Sequence, residues 1–189
     1  MTYLLVGEPA TEPVSVEEAK SHLRIDTERD DELLAALIRA ARSHVENETG
    51  IAIIEQLWRR YLDDWPLDRC VRLARHPVRR VVGITLFDAE GQPHAMPDAW
   101  SRLDTVSRPA RLLVSDAVPP GAAMNGIEIE FVAGLAETAA DVPDTIRRAV
   151  LLLVAHWYEF RGVVAPDRQP VSVPPGLDRL LAPHRAGRL

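Results

Sequence analysis

Two stretches far apart in this chain each carry an apolar stripe at helical spacing, and neither can hide its stripe alone. In the first, Leu33, Leu34, Leu37, Ile38, Ala41 and Val45 recur at intervals of three and four. In the second, Ile146, Ala149, Val150, Leu153, Trp157 and Phe160 do the same, while Asp144, Arg147, Arg148 and Glu159 fall elsewhere on the wheel. The simplest resolution is that the stripe of Leu34, Ile38, Ala41 and Val45 packs against that of Ile146, Val150, Leu153 and Trp157. That choice brings the two ends of the chain together and leaves everything between them as an insertion.

Local signals bound these helices. Ser15-Val16-Glu17-Glu18 fits a capping box and predicts a short helix over 16–24. Ile25-Asp26-Thr27 breaks it, and Asp30-Asp31-Glu32 opens the next helix, whose N-terminal dipole favours carboxylates. Thr49-Gly50 closes that helix, because glycine takes the left-handed C′ conformation without strain. Pro143 stands in the first turn of the last long helix, where a missing N–H costs nothing, and the helix is expected to end near Gly162.

Between the helices the pattern shifts to short segments with β-branched residues. Strands are predicted over 57–62, 78–87, 111–114 and 127–131, with a turn at Asp88-Ala89-Glu90-Gly91. Pro93, Pro97, Pro109, Pro119 and Pro120 limit strand length. After the last helix, Pro166, Pro170, Pro174 and Pro175 read as an extended linker. The expected architecture is therefore mainly α: an antiparallel helical body over 13–50 and 141–162, a small β-rich insertion over 51–140, and an extended C-terminal tail over 163–189. Its 189 residues, 47% hydrophobic, suffice for one substantial core with a small inserted lobe but not for two full-sized domains, so 1–162 is read as one domain.

Composition narrows function. The net charge of -6 is distributed as -6 over 1–50, -3 over 51–160 and +3 over 161–189, which suits protein contacts better than a grip on phosphates. A single cysteine, Cys70, rules out an internal disulfide, and its neighbours Val71 and Leu73 mark it as a packed thiol. The start of the chain has no basic n-region, and the apolar run over 149–155 falls far short of the roughly twenty residues of a membrane span. A soluble protein made in the cytoplasm is expected. No Walker loop, dinucleotide-binding glycine pattern, paired-histidine zinc helix or nucleophile elbow occurs. His156 and Glu159 supply two candidate ligands, too few for a metal site. Asp63, Asp64 and Asp68 beside Trp65-Pro66 read as a solvated turn rather than paired catalytic carboxylates. No catalytic, metal or cofactor-binding residue is assigned, and no enzyme activity is expected.

The order of these segments resembles a family of phage head-tail connector proteins, the adaptor or head-completion type, found also in prophages and gene transfer agents. The resemblance is carried by Pro13-Val14-Ser15-Val16-Glu17-Glu18-Ala19-Lys20 with Leu23-Arg24-Ile25, by Asp30-Asp31 leading into Leu33-Leu34 and Ile38, and by Ala40-Ala41-Arg42 with Val45-Glu46 and Thr49-Gly50. It continues through Pro77-Val78, Val81-Val82, Asp88, Gly91 and Phe131-Val132-Ala133-Gly134. It closes on Val142-Pro143, Ile146, Trp157-Tyr158-Glu159, Arg161, Leu180-Leu181, Pro183 and Arg185. His156-Trp157 replaces a plainer aliphatic pair, and the loop over 93–109 is particular to this chain.

Membership would imply a ring, usually twelve-fold, in the neck of a particle, docked below the portal protein and presenting a surface to the next tail or stopper component. DNA would pass the channel without specific binding, and no cofactor or membrane would be involved. Within that frame the tail is the expected docking element, with Leu177, Leu180 and Leu181 as apolar anchors and Arg179, Arg185 and Arg188 steering toward acidic patches on the portal. Two other readings remain: a small DNA-binding or packaging accessory protein, with the first two helices as a helix-turn-helix, and a hydrolase using Asp63, Asp64 and His156. Against the first, Asp30, Asp31 and Glu32 stand where a recognition helix would meet phosphates.

Overall fold

The computed structural model describes residues 2–122, 124–160 and 173–185. They divide into two compact units, a helical one within Ala10–Ile54 and Ala136–Arg185, and a β unit of residues 2–9 with Glu55–Leu135.

In the helical unit, α1 (Val16–Leu23) starts at the expected capping box. The Ser15 hydroxyl accepts from the Glu18 N–H at 3.1 Å, and the Glu18 carboxylate accepts from the Ser15 N–H at 2.9 Å. It stops at Arg24, which turns left-handed at φ 58°. The second helix, α2 (Asp31–Thr49), ends on Gly50 at φ 77°, whose N–H reaches Glu46 O at 2.9 Å. α3 (Asp144–Phe160) packs against α2, α1 touches both, and α4 (Leu177–Leu181) lies against α3. Leu34, Ile38, Ala41 and Val45 of α2 are buried, as are Ile146, Ala149, Val150, Leu153, Val154 and Trp157 of α3. The edge of Trp157 meets His44 at 5.9 Å. Two expected stripe residues lie outside this seam: Leu33 is 37% exposed and Phe160 40%.

Polar side chains then hold the segment that follows α2. Thr49 donates to Val45 O at 2.7 Å and accepts from the Ile51 N–H at 3.2 Å. Glu46, itself buried, accepts from the Ile53 N–H at 2.9 Å and from Arg42 at 3.0 Å, and Arg42 also donates to Glu12 at 2.8 Å. Ile51, Ala52, Ile53 and Ile54 are all buried, and Ile54 forms a parallel bridge with Ala136.

The β unit holds eight strands: β1 (Thr2–Leu5), β2 (Gln56–Leu62), β3 (Cys70–Leu73), β4 (Val78–Phe87), β5 (Pro93–Ala95), β6 (Ser101–Asp104), β7 (Ala110–Val114) and β8 (Ile127–Ala133). One antiparallel sheet has the order β1-β2-β8-β4-β5 and the other β3-β7-β6. In the larger sheet β2 pairs with β8 along its whole length, with Trp58 opposite Phe131 on the buried face. On the other face Arg59 reaches Glu130 at 2.8 Å and Glu128 at 3.5 Å. The sheets are joined by hydrogen bonds. The Tyr3 hydroxyl donates to Arg72 O at 3.3 Å and accepts from the Ala74 N–H at 3.0 Å, and the buried Arg60 guanidinium also donates to Arg72 O. Gly134 is obligatory here, since an added Cβ would stand 2.5 Å from Glu55 Cα.

This architecture corrects the mainly α expectation. Four α-helices and eight strands occur among the described residues, and the extended tail is replaced, where described, by α4 and a following 3-10 turn at Ala182–His184. The strands that sequence pattern missed are β1, β3, β5 and β6, each three or four residues long. A period of two cannot be recognised over so few positions, and it is pairing with longer neighbours that makes them strands.

The helical seam makes a direct stability prediction. Leu153 is fully buried, so Leu153→Ala should cost about 2–5 kcal/mol in denaturant melts, and a loss near zero would place the core elsewhere. A second concerns the β6–β7 turn. The Asp104 carboxylate accepts from Arg111 at 2.7 Å, from the Ser107 hydroxyl at 2.7 Å and from the Val106 N–H at 2.9 Å. Arg111 first, then Ser107, hold it well below the ordinary value of 3.8. A carboxyl depressed by folding stabilises above its unfolded value and loses that stabilisation as pH falls through the folded one. Asp104→Asn should therefore lower stability at neutral pH and flatten its decline below pH 3.8, read as melting temperature against pH.

Candidate interaction surfaces

The expected docking residues are split by the fold. Leu177 and Leu181 are 2% and 0% exposed, one on each end of α4, and so belong to the core of the helical unit. A spacing of four puts them on one face of a single helical turn, which suffices to bury both against α3. Leu180 is half-buried and Arg179 is exposed. Arg185 is exposed but engaged, with its guanidinium 2.7 Å from Asp178 and 3.2 Å from Glu48. The adjacent His184 ring meets the Thr145 hydroxyl at 2.9 Å. Arg188 lies outside the described residues, as do the linker prolines Pro166 and Pro170.

The groups weighed for chemistry are occupied with structure. Asp63 accepts from the Asn125 N–H at 2.8 Å and Asp64 from the Trp65 N–H at 2.7 Å. Asp68 accepts from the Cys70 N–H at 3.1 Å and pairs with Arg72 at 3.2 Å. His156 belongs to the other unit, where its ring packs against Phe160 at 4.7 Å. Cys70 is buried. Among the described residues no group of three or more His, Cys, Asp or Glu is arranged to hold a metal ion, and no helix is long and apolar enough to cross a membrane.

The acidic opening of α2 is likewise used within the helical unit. Asp30 accepts from the Tyr158 hydroxyl at 2.5 Å, and Asp31 pairs with Lys20 at 2.9 Å. Glu18, beyond its capping role, pairs with Arg147, which also donates to Ala139 O at 3.0 Å. These carboxylates thus tie α1, α2 and α3 together. Their partners sit more than a hundred residues away for Asp30 and Glu18, beyond the reach of any local pattern.

In the β unit the loops at one end are cross-tied. The Trp65 indole donates to Pro119 O at 3.0 Å and Arg69 to Val118 O at 3.1 Å. They leave Leu67 fully exposed and Met124 at 79%. On the smaller sheet, Trp100 and Leu113 line a shallow groove with Arg102. Sequence reasoning assigned no role to Leu67 or Met124, since isolated apolar residues become a surface feature only once the loops are placed.

The family model of phage gp6-like head-tail connector proteins matches residues 13–95. Solved structures are similar over the entire chain. A chain from the neck of the empty gene transfer agent particle, computed with C6 symmetry, is 28% identical at a TM-score of 0.82, covering 100% of this chain and 97% of that one. A chain from the neck of the native particle, computed with C12 symmetry, is 27% identical at 0.80, and one from the virion of the native particle is 26% identical at 0.81, both with the same coverage. No curated protein matches by sequence. The chain is thus similar to the gp6-like head-tail connector proteins over residues 13–95, and along its whole length to proteins of the gene transfer agent particle and its neck.

The burial of α4 changes what truncation should do. Removing residues 174–189 strips Leu177 and Leu181 from the core, so the melting temperature should fall by an amount matching a loss of about 2 kcal/mol or more. Arg179→Ala, at an exposed position, should stay within about 0.5 kcal/mol of the parent. A truncated chain that melts unchanged would mean that α4 does not pack as described.

Proposed function

We propose that copies of this chain form a ring in the neck of a phage or phage-like particle, docked below the portal protein and offering its far side to the next tail or stopper component. The observation that carries this reading is the similarity along the whole chain to neck proteins of gene transfer agent particles, whose necks were computed with C6 and C12 symmetry. Assembly would begin in the cytoplasm. DNA passes the channel without specific binding, and the net charge of -6 supports that, because a wall that gripped phosphates would retard its passage. The protein carries out no reaction of its own in this role.

We assign portal contact to the α4 region, and the exposure of its side chains supports a narrower set of contact residues. Arg179, Leu180 and Arg185 stand at its surface, while Leu177 and Leu181 hold them in place from beneath. Arg188 extends the basic end of the sequence. Arginines around a partly exposed leucine suit an acidic patch with an apolar centre.

Deletion cannot test this, since it also removes core. Paired surface changes can. Arg179→Glu with Leu180→Asp should reduce co-sedimentation with portal-bearing heads at least about tenfold, a loss of about 1.4 kcal/mol or more of binding, while the melting temperature holds. Normal co-sedimentation of that variant would overturn the assignment of portal contact to α4. Binding to free duplex DNA that is tight at physiological salt would instead favour a DNA-packaging accessory.

A further inference from the structure

The five-stranded sheet has two stretches of backbone with no strand beside them. One is β1, at the end of the order β1-β2-β8-β4-β5. Leu4 is in register with Arg59 and the Val6 N–H donates to Leu57 O at 2.9 Å, so these residues face β2. By the alternation of an antiparallel ladder, the N–H and C=O groups of Tyr3 and Leu5 point off the sheet. The other stretch lies at the opposite side. β8 pairs with β4 from Val78 to Leu86, but β5 covers only Thr85–Phe87, leaving the backbone ahead of Thr85 without a strand on that side. An open cleft runs along it, lined by Arg80, Val82, Gly83, Met96, Leu103 and Leu112.

Soluble proteins guard free strand edges with charge, proline or cover, because an unguarded edge recruits another strand. β1 has none of these. Thr2-Tyr3-Leu4-Leu5-Val6-Gly7 contains no charge and no proline, and Leu4 and Val6 are 50% and 39% exposed. The free stretch of β4 is partly guarded, by Arg79 and Arg80 and by register shifts between Val78 and Arg80 and between Val81 and Gly83, but Val82 is left 48% exposed beyond the two arginines. A cyclic ring requires two different surfaces on each copy, one for each neighbour. Two free edges on opposite sides of one sheet meet that requirement, whereas pairing β1 with another β1 would make a closed dimer.

Resting on the ring assembly proposed above, we propose that β1 of one copy adds as a strand to the free edge of β4 in the next copy, so that the occupant of the cleft is a second copy of this chain. Main-chain hydrogen bonds from Tyr3 and Leu5 supply the attraction, and the contact brings Leu4 and Val6 of one copy to Val82 of its neighbour.

Cysteine cross-linking in rings assembled on portal-bearing heads tests this in a Cys70→Ser background. Leu4→Cys combined with Val82→Cys, or with Arg80→Cys, should give on oxidation a ladder of covalent multimers on a non-reducing gel, while each single variant stays monomeric. In parallel, Leu5→Pro replaces a half-buried side chain and removes a donor that points off the sheet, while the Val6 N–H bond to Leu57 O stays available. It should abolish rings seen by electron microscopy while the melting temperature of the chain holds. Rings that assemble without cross-linking in either pair, rings that persist in Leu5→Pro, or dimers from Leu4→Cys alone would each overturn the edge pairing while leaving the ring standing. Absence of rings from the unsubstituted chain would instead remove the ring reading and this contact with it.

Discussion

The helical unit depends on a contact between segments that begin at residue 31 and residue 144. Everything between must leave that unit and return to it without disturbing the seam. The buried carboxylate of Glu46 makes this possible. It receives the Ile53 N–H on one oxygen and Arg42 on the other, and Arg42 is shared with Glu12. The outgoing segment Ile51–Ile54 is therefore fixed by a charged, hydrogen-bonded anchor and by its own burial, and the returning Ala136 takes its place beside Ile54. A buried ion pair of this kind is of little net benefit against an apolar replacement, but removing one partner leaves an uncompensated charge. Its use here is positional: it sets where the chain departs.

A different economy governs the β unit. Its sheets are short, and a good share of their order comes from side chains that bond to backbone: Tyr3 and Arg60 to Arg72, Asp104 to its own turn, Asp88 to the N–H groups of Glu90 and Gln92. Such bonds satisfy loop backbone that would otherwise need water. The loops that carry Leu67 and Met124 are tied in the same way, by Trp65 to Pro119 O, Arg69 to Val118 O and the Asn125 N–H to Asp63. For the ring proposed above this is the useful property, since recognition between proteins rests on surfaces held in fixed geometry.

Much of the helical unit was legible in the sequence because its signals are local. The capping box at Ser15, the glycine stop at Gly50 and the stripes through Ile38 and Leu153 each need only a few consecutive residues to be read. The four longest strands could likewise be seen from alternation, as in Ile127 to Phe131. The short strands could not. β1 is a strand because β2 lies beside it, and β6 because β7 does. Missing them turned a chain with two antiparallel sheets into one expected to be mainly helical. The C-terminal leucines show the same limit, since four-residue spacing announces a helical turn but not the surface that turn will meet.

The sequence by itself determined the local conformations and the family resemblance, because capping, helical periodicity and an ordered series of short motifs are written in neighbouring residues. Only the tertiary structure decided which polar groups are spent inside and which edges are left over. Asp30 bonding to Tyr158, Arg147 to Glu18 and Leu181 entering the core are all contacts across long sequence separations. A free strand edge is likewise defined by the neighbour it lacks. Burial and pairing depend on where remote parts of the chain come to rest, and no window of adjacent residues carries that information.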